Sequence, residues 1–121
     1  MNDRLLLGFG AVLATLGITF GAFGAHALKA ALSSQALGWW QTGVQYQMWN
    51  AVGLVALSAL PLRLRAAGLL IAGGSVVFAG SLYLMALADM RWLGAVTPLG
   101  GLLMIAGWLL VTWHGVRSSR A

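Results

Sequence analysis

Four long stretches of this chain contain no Asp, Glu, Lys or Arg, over positions 5–28, 30–62, 66–88 and 92–116. A helix that crosses a lipid bilayer needs about 20 such residues. Three of the runs hold one helix each, and the longest, 30–62, holds one helix plus a surface segment. The pattern predicts an all-α fold, a four-helix transmembrane bundle in one integral-membrane domain over 1–121, with spans at about 5–25, 43–60, 67–87 and 93–113.

The polar punctuation supports these boundaries. Pro61 stops the second span, and Arg63 and Arg65 make a basic turn after it. Asp89, Met90 and Arg91 make a second turn. Thr97-Pro98 falls early in the fourth span, where Pro98 either sits near the helix start or marks a break. Between spans one and two, Leu28, Leu32, Ala36 and Trp39 share one side, with Lys29, Ser33 and Gln41 away from it. That spacing predicts a short interfacial helix pinned by Trp39 and Trp40, with an ordinary loop as the alternative. His114, Arg117 and Arg120 are expected to form a short exposed tail.

Small residues form stripes. Gly10, Ala14, Gly17, Gly21 and Gly24 recur at steps of four and three, and Ala72, Ser75 and Ala79 do so on span three, followed by Ala86. In lipid such faces let helices approach closely, because packing replaces the absent hydrophobic drive. Gly73-Gly74 adds a close-approach or bending point.

Composition agrees. Sixty per cent of the residues are apolar and seven per cent charged, against about 25% charged in soluble domains, so the solvent of this surface is lipid. The absence of cysteine excludes disulfides, thiolate nucleophiles and Cys-bound metals. The net charge of +5 does not point to nucleic acid, because the basic residues sit at span ends and form no basic face. Ala25-His26-Ala27 has the small-x-small look of a cleavage site, but the apolar run before it exceeds the about 7–15 residues of a signal core, so span one is expected to remain. With four spans, Arg4, Arg63, Arg65, Arg117 and Arg120 share one side and Lys29 and Arg91 the other. The positive-inside rule then places both termini in the cytoplasm.

On this topology the side chains able to do chemistry gather in the outer half. His26 ends span one; Tyr46, Gln47 and Asn50 open span two; Ser81 and Tyr83 end span three; Arg91 and Thr97 open span four. Such groups at membrane depth must find partners. They form either a structural clasp or a site for a ligand, ion or partner. Catalysis is not expected: there is no carboxylate pair and no nucleophile-elbow pattern, and Asp89 is explained by Arg91 two residues on. No cofactor or metal is expected either, since His26 and His114 lie at opposite ends and cannot share one haem iron. The two halves show no convincing match, so an inverted-repeat transporter gains little support.

Four separated motifs carry a family resemblance: Gly21-Ala22-Phe23-Gly24-Ala25-His26, the run from Trp40 to Gln47, Gly80-Ser81-Leu82-Tyr83, and the run from Arg91 to Gly101. In this order they resemble the YgdD/YwdK family, small bacterial inner-membrane proteins classed as a domain of unknown function, with a eukaryotic transmembrane relative. The resemblance implies a multi-pass protein of the bacterial inner membrane and no particular activity. Where the family pattern is expected to place a histidine, this chain has Asn50, which does not titrate near neutral pH and so favours a clasp over proton relay. The expected role is an accessory or interaction subunit docking a larger membrane complex or a copy of itself. The alternative is translocation of a small ligand or ion through an outward polar cavity.

Overall fold

The computed structural model describes residues 3–118, and among them it holds four long helices and no strand. These are α1 (Arg4–Phe23), α2 (Ser34–Ser58), α3 (Arg65–Ala88) and α4 (Thr97–Ser118). A π-helical turn, Gly24–Leu28, prolongs α1, and a 3-10 turn, Arg91–Ala95, precedes α4. Among the described residues three segments are long and apolar enough to cross a membrane: Arg4–Leu28, Arg65–Ala88 and Arg91–Arg117.

Helix α2 is less apolar because it carries Gln35, Gln41, Gln45, Gln47 and Asn50, yet its 25 residues rise about 37 Å at 1.5 Å each. Connectivity obliges it to cross. The Asp3 backbone N–H donates to Ser58 O at 2.8 Å, and the Asp3 carboxylate pairs with Arg65 at 3.0 Å. The start of α1, the end of α2 and the start of α3 therefore lie together. We call this the terminal end, and the opposite one, with loops 29–33 and 89–96, the hairpin end.

Three sequence expectations are corrected. No separate interfacial helix occupies 28–41. Ser33 caps α2, its Oγ accepting from the Ala36 N–H at 3.1 Å, and the helix runs unbroken into the span. Trp40, expected as an interface anchor, is buried, with its indole N–H donating to Phe20 O at 2.9 Å. His114 and Arg117 belong to the last turns of α4 rather than to a tail, and Arg120 lies outside the described residues. Pro98, the second residue of α4, takes the helix-start alternative, where a missing N–H costs no helical bond.

The helices pack in chain order, α1 on α2, α2 on α3, α3 on α4, with a lesser contact of α1 on α3 and none between α1 and α4. Leu6, Leu13, Leu54, Leu57, Leu64 and Ile71 form the largest buried cluster, while Ile18, Leu102 and Leu109 point outward to lipid. The α1 stripe faces α2. A Cβ on Gly10 would stand 2.9 Å from Ala51 O, one on Gly17 would strike the Met48 thioether, and one on Gly24 would lie 2.5 Å from the Trp40 ring nitrogen. Ala14 and Gly21 sit half-buried beside them. On α3, Ala72, Ser75 and Ala79 are buried, and of Gly73-Gly74 only Gly74 is a close-approach point.

Candidate polar clasps at the bundle midplane

Because α2 begins at Ser34, Gln47 lies at its middle and not in an opening turn. Its amide nitrogen donates to Leu13 O at 2.8 Å, and Leu13 is itself midway along α1. The amide oxygen accepts from the Tyr83 hydroxyl at 2.6 Å. One buried side chain thus ties α1, α2 and α3. Gly43 makes this geometry available: a Cβ there would stand 2.7 Å from the Tyr83 ring, so only glycine, one turn before Gln47, lets the phenol cross α2 and reach the amide. Above it Phe20, Trp40 and Tyr83 form a triangle with centroids 4.6–5.7 Å apart, in the edge and tilted arrangements that aromatic quadrupoles favour.

A second knot is built the same way. The Asn50 amide nitrogen donates to Tyr46 O at 2.7 Å and toward the Met104 sulfur at 3.1 Å. Its oxygen accepts from the Trp108 indole N–H at 2.8 Å. Here Gly53, one turn after Asn50, admits the Trp108 ring, which a Cβ would meet at 2.6 Å. Ser75 bonds back to Ile71 O at 2.8 Å and lies 3.6 Å from the same sulfur. A third contact joins α3 to the start of α4, Ser81 and Thr97 hydroxyls at 2.6 Å. Together the three connect every helix to its neighbours. Among the described residues no buried side-chain nitrogen or oxygen lacks a partner, as hydrocarbon requires.

The expected single cluster therefore divides. Gln47 and Tyr83 meet; Asn50 is a separate knot; Ser81 and Thr97 form another. His26 lies in the exposed π-helical turn and makes no hydrogen bond to Gln47, Asn50 or Tyr83. Tyr46 is partly exposed, its ring 4.8 Å from Phe78 and 5.1 Å from Trp49. Arg91 stays at the hairpin surface, bonded to Asp89 at 3.1 Å and Gln35 at 3.2 Å, with its guanidinium over Trp39. Hydroxyls in the helices mostly bond to their own chain: Thr15 to Ala11 O, Thr19 to Thr15 O, Thr112 to Trp108 O. That back-bonding is open to any depth.

Trp108 and Met104 were not singled out from the sequence. The available signal was a tryptophan in mid-span, far from either interface, whose N–H has to find an acceptor. Beside this knot a cavity of about 620 Å³ opens laterally between α2 and α4, lined by Tyr46, Trp49, Asn50, Phe78, Met104 and Trp108. The backbones of α2 and α4 stay apart and meet only through side chains. No group of three or more His, Cys, Asp or Glu converges among the described residues, and the two histidines lie at opposite ends, one beside the α1–α2 loop and one in the last turns of α4.

Comparison with known proteins finds relatives of this chain. The family described as "Protein of unknown function (DUF423)" matches residues 20–101. The UPF0382 membrane protein SH2409 of Staphylococcus haemolyticus is 41% identical over 112 residues, 89% of this chain and 92% of the relative. The UPF0382 membrane protein YwdK of Bacillus subtilis is 38% identical, covering 94% and 98%. The UPF0382 inner membrane protein YgdD of Escherichia coli K12 is 35% identical, covering 99% and 95%. No solved structure matches the chain.

Proposed function

This chain belongs to the DUF423 family of membrane proteins, the YgdD/YwdK relatives, and from that premise we propose that it is a non-enzymatic association protein of the bacterial inner membrane. In this reading it docks a larger membrane assembly or another copy through its lateral surfaces. The observation that carries it is the open row of helices. The α4 backbone packs on α3 alone and reaches α2 only through the Trp108 and Met104 side chains, and the α2–α4 groove is left with Tyr46, Trp49 and Trp108 along its walls. Gly8 and Gly73, with nothing packed within 4 Å, add uncovered points where another helix can approach closely.

Both termini face the cytoplasm in this proposal. The support is the charge distribution, Arg4, Arg63, Arg65 and Arg117 at one end against Lys29 and Arg91 at the other, together with the inner-membrane name of the Escherichia coli relative. Translocation through an outward polar cavity finds less support. Gln47, Asn50 and Tyr83 are occupied in holding helices together, and His26 stands apart from them. Purification from the native membrane in mild detergent, followed by native mass spectrometry, tests the proposal. An assembly heavier than one chain is expected; a lone monomer at native expression levels would overturn it.

A further inference from the structure

Gln45 and Gln47 are two residues apart on α2 and have opposite fates. Gln47 is buried and fully bonded. Gln45 is exposed, and its side-chain amide makes no hydrogen bond to any described residue. Its depth follows from its neighbours: Val44 packs against Gly21 and Met48 against Gly17. Gln45 is thus level with Gly17–Gly21 of α1 and two residues, about 3 Å at 1.5 Å per residue, from Gln47 at the middle of α2, well inside the about 15 Å half-thickness of the hydrocarbon. An amide there without a partner costs several kcal/mol.

The residues around it form a seam. Gly38, Thr42, Gln45, Trp49, Val52 and Ala56 follow one another at alternating steps of four and three. All are exposed except half-buried Thr42. That is the spacing with which one helix lines up against another over several turns, and one polar residue in such a seam fixes its register. We propose that this face of α2 is where two copies of the chain meet, with the Gln45 amides paired to each other across a twofold axis normal to the membrane.

The occupant follows from symmetry and chemistry. Copies inserted with the same orientation can be related by a twofold axis only along the bilayer normal, so each seam residue meets its own counterpart at its own depth. A glutamine amide carries both donors and an acceptor; two of them therefore complete each other, which a purely apolar partner helix cannot do. The inference rests on the reading of the chain as an association protein and names its partner for this face.

The chain has no cysteine, so single cysteines can be read cleanly in native membranes. Oxidative cross-linking of Thr42→Cys, Gln45→Cys and Val52→Cys should give a homodimer. Val76→Cys on α3 and Ile105→Cys on α4, both outward-facing, should give at least about tenfold less. Gln45→Leu should weaken self-association about three- to twenty-fold, the range of membrane interhelical hydrogen bonds, and Gln45→Asn should retain most of it. Equal cross-linking at the control positions, or none at the seam, overturns the proposal. A cross-link from Gln45→Cys to a different protein overturns the second copy as occupant while leaving the association reading standing. Monomer from every position overturns the homodimer on this face, and the association reading falls with it only if native mass spectrometry also finds a lone chain.

Discussion

The two hairpins of this protein hold their helices together by different means. In the α1–α2 hairpin the glycines of α1 receive α2 mostly through side chains, Met48 over Gly17 and Trp40 over Gly24. Two side-chain donors then reach α1 carbonyls, Gln47 to Leu13 O and Trp40 to Phe20 O. In the α3–α4 hairpin the backbones themselves touch. A Cβ on Gly74 would stand 2.7 Å from Gly100 O and Met104 N; one on Gly100 would strike Phe78 N and lie 2.8 Å from Gly74 O; one on Gly107 would lie 2.8 Å from Ala67 O. The first hairpin is closed by directed hydrogen bonds and the second mainly by close packing. The difference has a cause: α2 supplies polar side chains at the contact level, which find backbone carbonyls of α1, whereas α4 between Thr97 and Trp108 has none and gains attraction mainly by approach. Dispersion rewards approach strongly and forgives gaps poorly.

The comparison breaks most sharply at adjacent glycines of α4. Gly100→Ala puts a methyl group into rigid backbone, so relief requires moving the helix. A loss of about 3 kcal/mol is expected, the upper end for overpacking, with α4 the first helix to exchange amide hydrogens. Gly101→Ala, whose nearest obstacle is the Phe78 ring at 3.9 Å, should be neutral or stabilising by up to about 1 kcal/mol from helix propensity. Unfolding in bicelles measures both. Equal effects at the two positions would mean that α4 is not seated on α3 by backbone contact.

The first hairpin should fail through its hydrogen bonds instead. Gln47→Leu keeps the volume but leaves the Tyr83 hydroxyl without its acceptor, and Tyr83→Phe leaves the amide oxygen without its donor. Losses of about 1–3 kcal/mol are expected for each alone. In the double variant the loss should fall short of the sum by a coupling of about 0.6 kcal/mol, the mean between membrane helices, and at most about 1.7 kcal/mol. Strict additivity would show that the 2.6 Å contact contributes nothing to the bundle.

How much of this was legible in the sequence depended on whether a residue's type alone decides its place. Four helices, the α1 glycine stripe and the inward turn of Gln47 follow from apolarity and from the cost of a bare amide in lipid. The start of α2 did not, because tryptophans and glutamines at 39–41 read equally well as an interface, and only the acceptor Phe20 O shows that Trp40 belongs inside. His26 drew weight from its motif, yet the π-helical turn leaves it at the surface. Nor does composition give azimuth: of Gly100 and Gly101 one touches backbone and the other does not. The glycines at 43 and 53 gain meaning only once the rings of Tyr83 and Trp108 are seen to lie across them.

The smallest effect lies where the first hairpin is joined to the second at the terminal end. Asp3 caps α1, accepting from the Leu5 and Leu6 N–H groups at 3.1 and 3.2 Å, and grips Arg65 through two bonds at 3.0 and 3.1 Å. The Arg65 hydrogen bond, above all, holds the Asp3 carboxyl below the usual carboxylate range, against a weaker opposing pull from desolvation. A group whose pKa is depressed on folding stabilises the fold above its unfolded value and loses that contribution as pH falls through the folded one. As pH falls below about 4, the ordinary carboxylate value, the wild-type chain should therefore lose a small increment of stability that Asp3→Asn, already lacking the charge, does not lose. The site is solvent-exposed, so salt should shrink the increment further. Thermal unfolding in detergent across that range, at low and at moderate salt, separates the two chains. Parallel pH profiles would mean that the ion pair is a bystander and that α3 is held against the start of α1 here by packing alone, as where Leu6 lies over Gly68.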